Sequence, residues 1–144
     1  DKAANNGATA LMKASEKGHA ATVEALLQAG VDVDKADDKG GTTLMLASQN
    51  GHAAIVEALI QAGADIDKAN NDGRTALILA SIQGHAAIVE ALLQAGADVD
   101  KADNHGGTAL MFARRHGHSA IVKLLLDAGA TNVGSRGGEQ CLIT

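Results

Sequence analysis

The chain of 144 residues has no proline, no tryptophan and no tyrosine, and Phe112 is its whole aromatic complement. With no proline to fix a bend, turns have to be made by glycine, asparagine and aspartate. With one large ring, a core must be filled by Leu, Ile, Val, Met and many Ala, which suits closely spaced helices with small contact residues. A single cysteine, Cys141, excludes an intramolecular disulfide framework and fits a reducing compartment, so a cytoplasmic location is expected. Cationic surplus is missing too. A net charge of −5 and a pI near 5.6 leave no overall basic footprint for nucleic acid or an anionic membrane. No apolar run approaches the roughly 18–20 residues of a membrane span. No targeting segment is visible, and the chain opens in repeat frame at Asp1, as a segment of a longer protein would.

What is present is one pattern written four times, beginning at Asp1, Asp34, Asp67 and Asp100, a period of 33 residues. The second and third copies agree at 23 of 33 positions. A period of this length marks a solenoid, in which each unit buries its apolar face only against its neighbours. One domain over residues 1–133 follows, with repeats 1–33, 34–66, 67–99 and 100–132 and a tail at 134–144.

The third copy shows the local code. Asn70-Asn71-Asp72-Gly73 is a turn signal, and Thr75 is placed to cap a short helix through Leu77, Ile78, Leu79 and Ala80. Gly84-His85 breaks that helix. A second helix is predicted from about Ala86 to Gln94, with Ile88, Val89, Leu92 and Leu93 at helical spacing and Gly96 as a left-handed stop. Neither helix exceeds three turns, so stacking must stabilise both.

Gly73, Thr75, Leu77, Ala80, Gly84-His85, Ile88-Val89, Leu92-Leu93 and Gly96-Ala97-Asp98 reproduce a family pattern, and matching sets recur in all four copies. The chain resembles ankyrin-repeat proteins. The resemblance implies an all-α solenoid of stacked antiparallel helix pairs with protruding β-hairpin turns, used mainly to bind proteins. Two family positions differ. The usual proline is Ala10, Thr43, Ala76 or Ala109, and the usual histidine after it is Met12, Met45, Ile78 or Met111. In the family that histidine ties adjacent turns by hydrogen bonds, so here apolar packing is expected to replace it.

End repeats of a solenoid leave one face without a neighbour and should be more polar. Thr22 stands where other copies have Ile, Lys13 where they have Leu46, Leu79 and Phe112, and Arg114-Arg115-His116 replaces Ser81-Ile82-Gln83. Both ends read as caps. The chain is expected to be a monomer, with self-association through the stack ends as the other possibility. The tail has two readings. Gly138 to Ile143 resembles Gly106 to Met111 and reads as a truncated or capping fifth repeat. Cys141-Leu142-Ile143-Thr144 could instead be a prenylation box, but Thr is atypical at its end and no polybasic stretch precedes it.

Residues that suggest chemistry are mostly repeat architecture. His19, His52, His85 and His118 share one repeat position, where the ring can satisfy loop and helix-end backbone groups. His105, His116 and His118 fit no zinc spacing. Asp98 to Asp103 lacks an EF-hand's third acid, central glycine and distant glutamate. Ser15, Ser48 and Ser81 sit in no nucleophile elbow, and no glycine pair leads into a phosphate loop. No enzyme activity, metal or cofactor is expected. Glu24, Glu57 and Glu90 form a row on the second helices; about 10 Å apart, neighbours repel by roughly 0.4 kcal/mol in water, which a solvated back face tolerates.

Function must then lie in what varies between copies. Two sets remain: the turn tips and the exposed positions of the first helices. By the family resemblance these positions line a concave groove that contacts partners. Carried over residue by residue, they are Asp38, Lys39, Asn71, Asp72, Arg74 and His105 at the tips, and Lys13, Leu46, Gln49, Leu79, Ile82, Phe112 and Arg115 on the helices. Leu46, Leu79 and Phe112 could instead fill the helix interface. Ile82 is more telling, because its counterparts are Glu16, Gln49 and Arg115. The expected function is a non-catalytic protein-binding module; the rival is an idealised or engineered repeat scaffold with no dedicated partner. A nucleic-acid or membrane partner is not expected.

Overall fold

The computed structural model describes residues 9–131. The tail readings and the first copy's turn, with Asn5, Asn6 and Ala8, lie outside the described residues. Among the described residues, eight helices follow one another as four pairs: α1 (Ala10–Lys17) with α2 (Ala20–Gln28), α3 (Thr43–Asn50) with α4 (Ala53–Gln61), α5 (Ala76–Gln83) with α6 (Ala86–Gln94), and α7 (Ala109–Arg115) with α8 (Ser119–Asp127). The expected helix limits in the third copy, Thr75 as cap and Ala86–Gln94 as second helix, are those observed.

Each first helix begins the same way. Thr9, Thr42, Thr75 and Thr108 are extended, and each hydroxyl oxygen accepts from the backbone N–H three residues on, at 3.1, 3.4, 3.3 and 3.3 Å. This satisfies a donor that the helix start leaves orphaned. All four threonines are buried, so the bond also removes a desolvation cost. The first three of these helices end on glycine: Gly84 takes φ 85, and its left-handed turn lets the His85 N–H reach the Ala80 carbonyl at 3.0 Å. Gly96, at φ 95, does the same after α6.

The pairs stack into two rows. α1, α3, α5 and α7 form the inner row, more closely packed than the outer row of α2, α4, α6 and α8. Small residues permit that close approach: Ala47, Ala80 and Ala113 are fully buried between inner helices. The tighter row is the concave side, since the stack must bend toward the helices that lie closer together. Larger residues fill the space between rows, with Leu59, Leu92 and Leu125 each wholly buried at one repeat position. Removing any of them to Ala would cost about 2–5 kcal/mol.

Hydrogen bonds join repeat to repeat. Asp34, Asp67 and Asp100 accept the backbone N–H of Asp65, Asp98 and Thr131 at 2.8, 2.9 and 3.0 Å. The recurring aspartates thus hold the chain between units. His52, His85 and His118 each reach back 36 residues, placing Nε2 3.0–3.1 Å from the carbonyls of Glu16, Gln49 and Ile82. The expected role of the histidine column is met, and its partner is the preceding repeat.

Candidate functional site

The turns that rim the concave face are built on one side chain each. Asp37, Asn70 and Asp103 turn back on their own hairpins: Oδ1 of each accepts two backbone N–H groups, from Lys39 and Gly41, from Asp72 and Arg74, and from His105 and Gly107. Closure of the hairpin follows from backbone bonds such as Asp103 N–H to the Gly107 carbonyl at 2.8 Å. Successive tips are then laced together. The Asn71 N–H donates to the Lys39 carbonyl at 2.9 Å and the Asn104 N–H to the Asp72 carbonyl at 3.0 Å. The Asn71 and Asn104 side-chain amides add bonds to the Asp38 and Asn71 carbonyls. Apolar packing does replace the family's histidine inside, where Met12, Met45 and Ile78 are buried, but these asparagines also restore a hydrogen-bonded tie between turns.

The candidate residues divide by exposure. Lys13, Gln49 and Arg115 stand exposed on the inner helices, and Leu46 and Ile82 are half-buried there. Asp38, Lys39, Asn71, Asp72 and His105 are exposed at the tips, with Arg74 half-buried behind them. Leu79 and Phe112 differ: each is only 8% exposed and belongs to the packed core. Their side chains fill the helix interface, because the closely spaced inner row leaves no room for them to project.

Phe112 nonetheless organises the end of the groove. The guanidinium carbon of Arg74 lies 5.1 Å from its ring centroid and that of Arg115 lies 5.6 Å away. Both cations gain from the ring's electron-rich face. Gly107 makes space for the ring, since a Cβ there would stand 2.8 Å from the ring's Cε2. Arg74 Nε also pairs with Asp103 Oδ2 at 3.5 Å, with the Asp103 side chain only 3% exposed. Burial pushes the Asp103 carboxyl up, but the N–H groups of Gly107 and His105, together with Arg74, outweigh it and hold the carboxyl below its ordinary value. Asn104, a variable turn-tip residue in the sequence, stands exposed at the tip as expected, whereas Asp103 carried no tip signal of its own beyond an arginine at 74 where the other described copies have glycine.

Other candidate chemistry is disassembled by the fold. Ser15, Ser48 and Ser81 are completely buried, with no partner for Oγ among the described residues. The His116 and His118 rings stack at 6.0 Å, but no group of three metal-binding side chains forms among the described residues. Glu24, Glu57 and Glu90 are exposed on the outer row, as a solvated back face requires.

A family model for ankyrin repeats in three copies matches residues 1–70 and 62–136. The chain belongs to the ankyrin-repeat family. Ankyrin repeats are in general non-catalytic modules of protein–protein interaction. No curated protein matches the chain significantly. Among the described residues, no helix of this ankyrin stack is long and apolar enough to cross a membrane.

Proposed function

We propose that the chain binds a protein partner along the concave inner row and its turn tips, without catalysing a reaction. One observation carries this reading: exposed residues change from copy to copy mainly on the inner row and the turn tips, whereas the exposed outer row repeats Glu24, Glu57 and Glu90 through three copies. Lys13, Gln49 and Arg115 stand exposed in the first, second and fourth repeats of the inner row, with half-buried Ile82 in the third. Surface architecture alone does not require such variation, since the outer row keeps glutamate at three equivalent positions. The partner's identity is left open by the fold, because a repeat stack sets a shape and not a ligand.

The test compares the wild-type chain with an Ile82→Asp, Arg115→Glu variant and an outer-row Glu57→Lys variant, each immobilised against an extract of its source cells. Proteins retained by wild type and Glu57→Lys but lost by the groove variant are expected. Equal recovery by all three removes the groove from the function. The near-identity of the second and third copies favours a second reading, a repeat scaffold without a dedicated partner; it predicts no specific recovery by any of them.

A further inference from the structure

Charge is sorted between the two rows. At exposed positions the inner helices carry Lys13, Lys17 and Arg115 against Glu16, three cations to one anion and a formal +2, while half-buried Arg114 shares the repeat position of the buried Ser15, Ser48 and Ser81. The outer helices carry Glu24, Glu57, Glu90 and Asp127 against Lys123, a formal −3. A chain with a net charge of −5 therefore turns a locally cationic face toward its groove. At the groove's end, Arg74 and Arg115 converge on the single ring of Phe112. A guanidinium held near a ring keeps its planar fork of N–H groups, the geometry that matches a carboxylate. Arg74 is half engaged by Asp103, whereas Arg115 is exposed and has no carboxylate partner among the described residues.

We infer that the groove takes an acidic polypeptide segment, laid across the inner helices, with a carboxylate seated on the exposed Arg115 guanidinium beside Phe112. This deepens the groove reading above and rests on it. Inner helices about 10 Å apart put roughly 30 Å between the first and the last, which about nine or ten residues of extended chain span. The acidic outer row and the aspartates of the tips repel the same segment elsewhere, so charge also sets where it lies.

The experiment uses the full chain and a fluorescein-labelled peptide of alternating Glu and Ala, about ten residues long, read by fluorescence anisotropy. A Gln-for-Glu counterpart and a single-stranded oligonucleotide of equal charge are run beside it. Two single-charge variants, Arg115→Gln on the inner row and Lys123→Gln on the outer row, change net charge equally. Expected are at least about tenfold tighter binding of the Glu peptide than of its Gln counterpart, and about fivefold loss in Arg115→Gln with none in Lys123→Gln. Affinity should also fall as salt rises from about 0.05 to 0.3 M. Equal binding or no binding of the two peptides, equal loss in the two variants, or tighter binding of the oligonucleotide overturns the inference. If the acidic preference is absent while the groove variant still loses its protein partners, the groove reading stands and only the acidic ligand is withdrawn. If both experiments fail, both readings fall together.

Discussion

The histidine column makes a quantitative demand on the glycines that precede it. Gly84, at φ 85, ends α5, and a Cβ there would lie 2.8 Å from Cε1 of His118. Gly117 has nearly the same backbone, φ 73, but nothing among the described residues stands within 4 Å of its Cβ position. Alanine in a left-handed conformation costs about 1–2 kcal/mol at either site, and the gain from a stiffer unfolded chain is common to both. Those contributions cancel in the comparison. What remains for Gly84→Ala is displacement of the His118 ring, which loses the 3.0 Å contact of Nε2 with the Ile82 carbonyl. A hydrogen bond of this kind is worth about 0.5–1.5 kcal/mol net, and the crowding adds to it. Gly84→Ala is therefore expected to destabilise by about 1–2 kcal/mol more than Gly117→Ala. With a urea dependence of about 1–2 kcal/mol per molar, the unfolding midpoints followed by far-UV circular dichroism should differ by roughly 1 M. His118→Ala should suppress most of the gap when combined with Gly84→Ala, as a double-mutant cycle measures. Equal losses for the two alanines, or no suppression by His118→Ala, would refute the ring as the source.

Two further predictions follow from groups buried in the stack. Ser81 is fully buried with no partner for its hydroxyl among the described residues, so Ser81→Ala should stabilise the chain by about 1 kcal/mol and raise its thermal midpoint; a loss of stability would mean that the hydroxyl has a partner after all. Asp103→Asn should keep the hairpin, since Asn70 accepts the same two bonds in the preceding repeat, and lose only the charged pairing with Arg74. Because the folded carboxyl lies below its ordinary value, the stability it adds is present above about pH 4 and is lost as pH falls through the folded value. The variant should thus be weaker by about 0.5–1 kcal/mol at neutral pH, with the two urea midpoints converging in acid; a constant difference would contradict the ionic origin.

The 33-residue period by itself determined the helix pairs, their limits and their caps. Thr75 and its counterparts were legible because a cap bonds three residues away, and Gly96 because a left-handed stop is a local property. Asp103 was not legible as a groove residue, and the sequence left open whether Leu79 and Phe112 project or turn inward. The contacts that decide such questions reach about one repeat away: Asn104 to the carbonyls of Asp72 and Asn71, Asp103 to Arg74, and His118 to the carbonyl of Ile82. A periodic sequence states which face of a helix is apolar, but not how closely the next unit approaches that face. The closeness of the inner row decided that Phe112 is a buried platform and left Arg74 and Arg115 to meet the solvent over it.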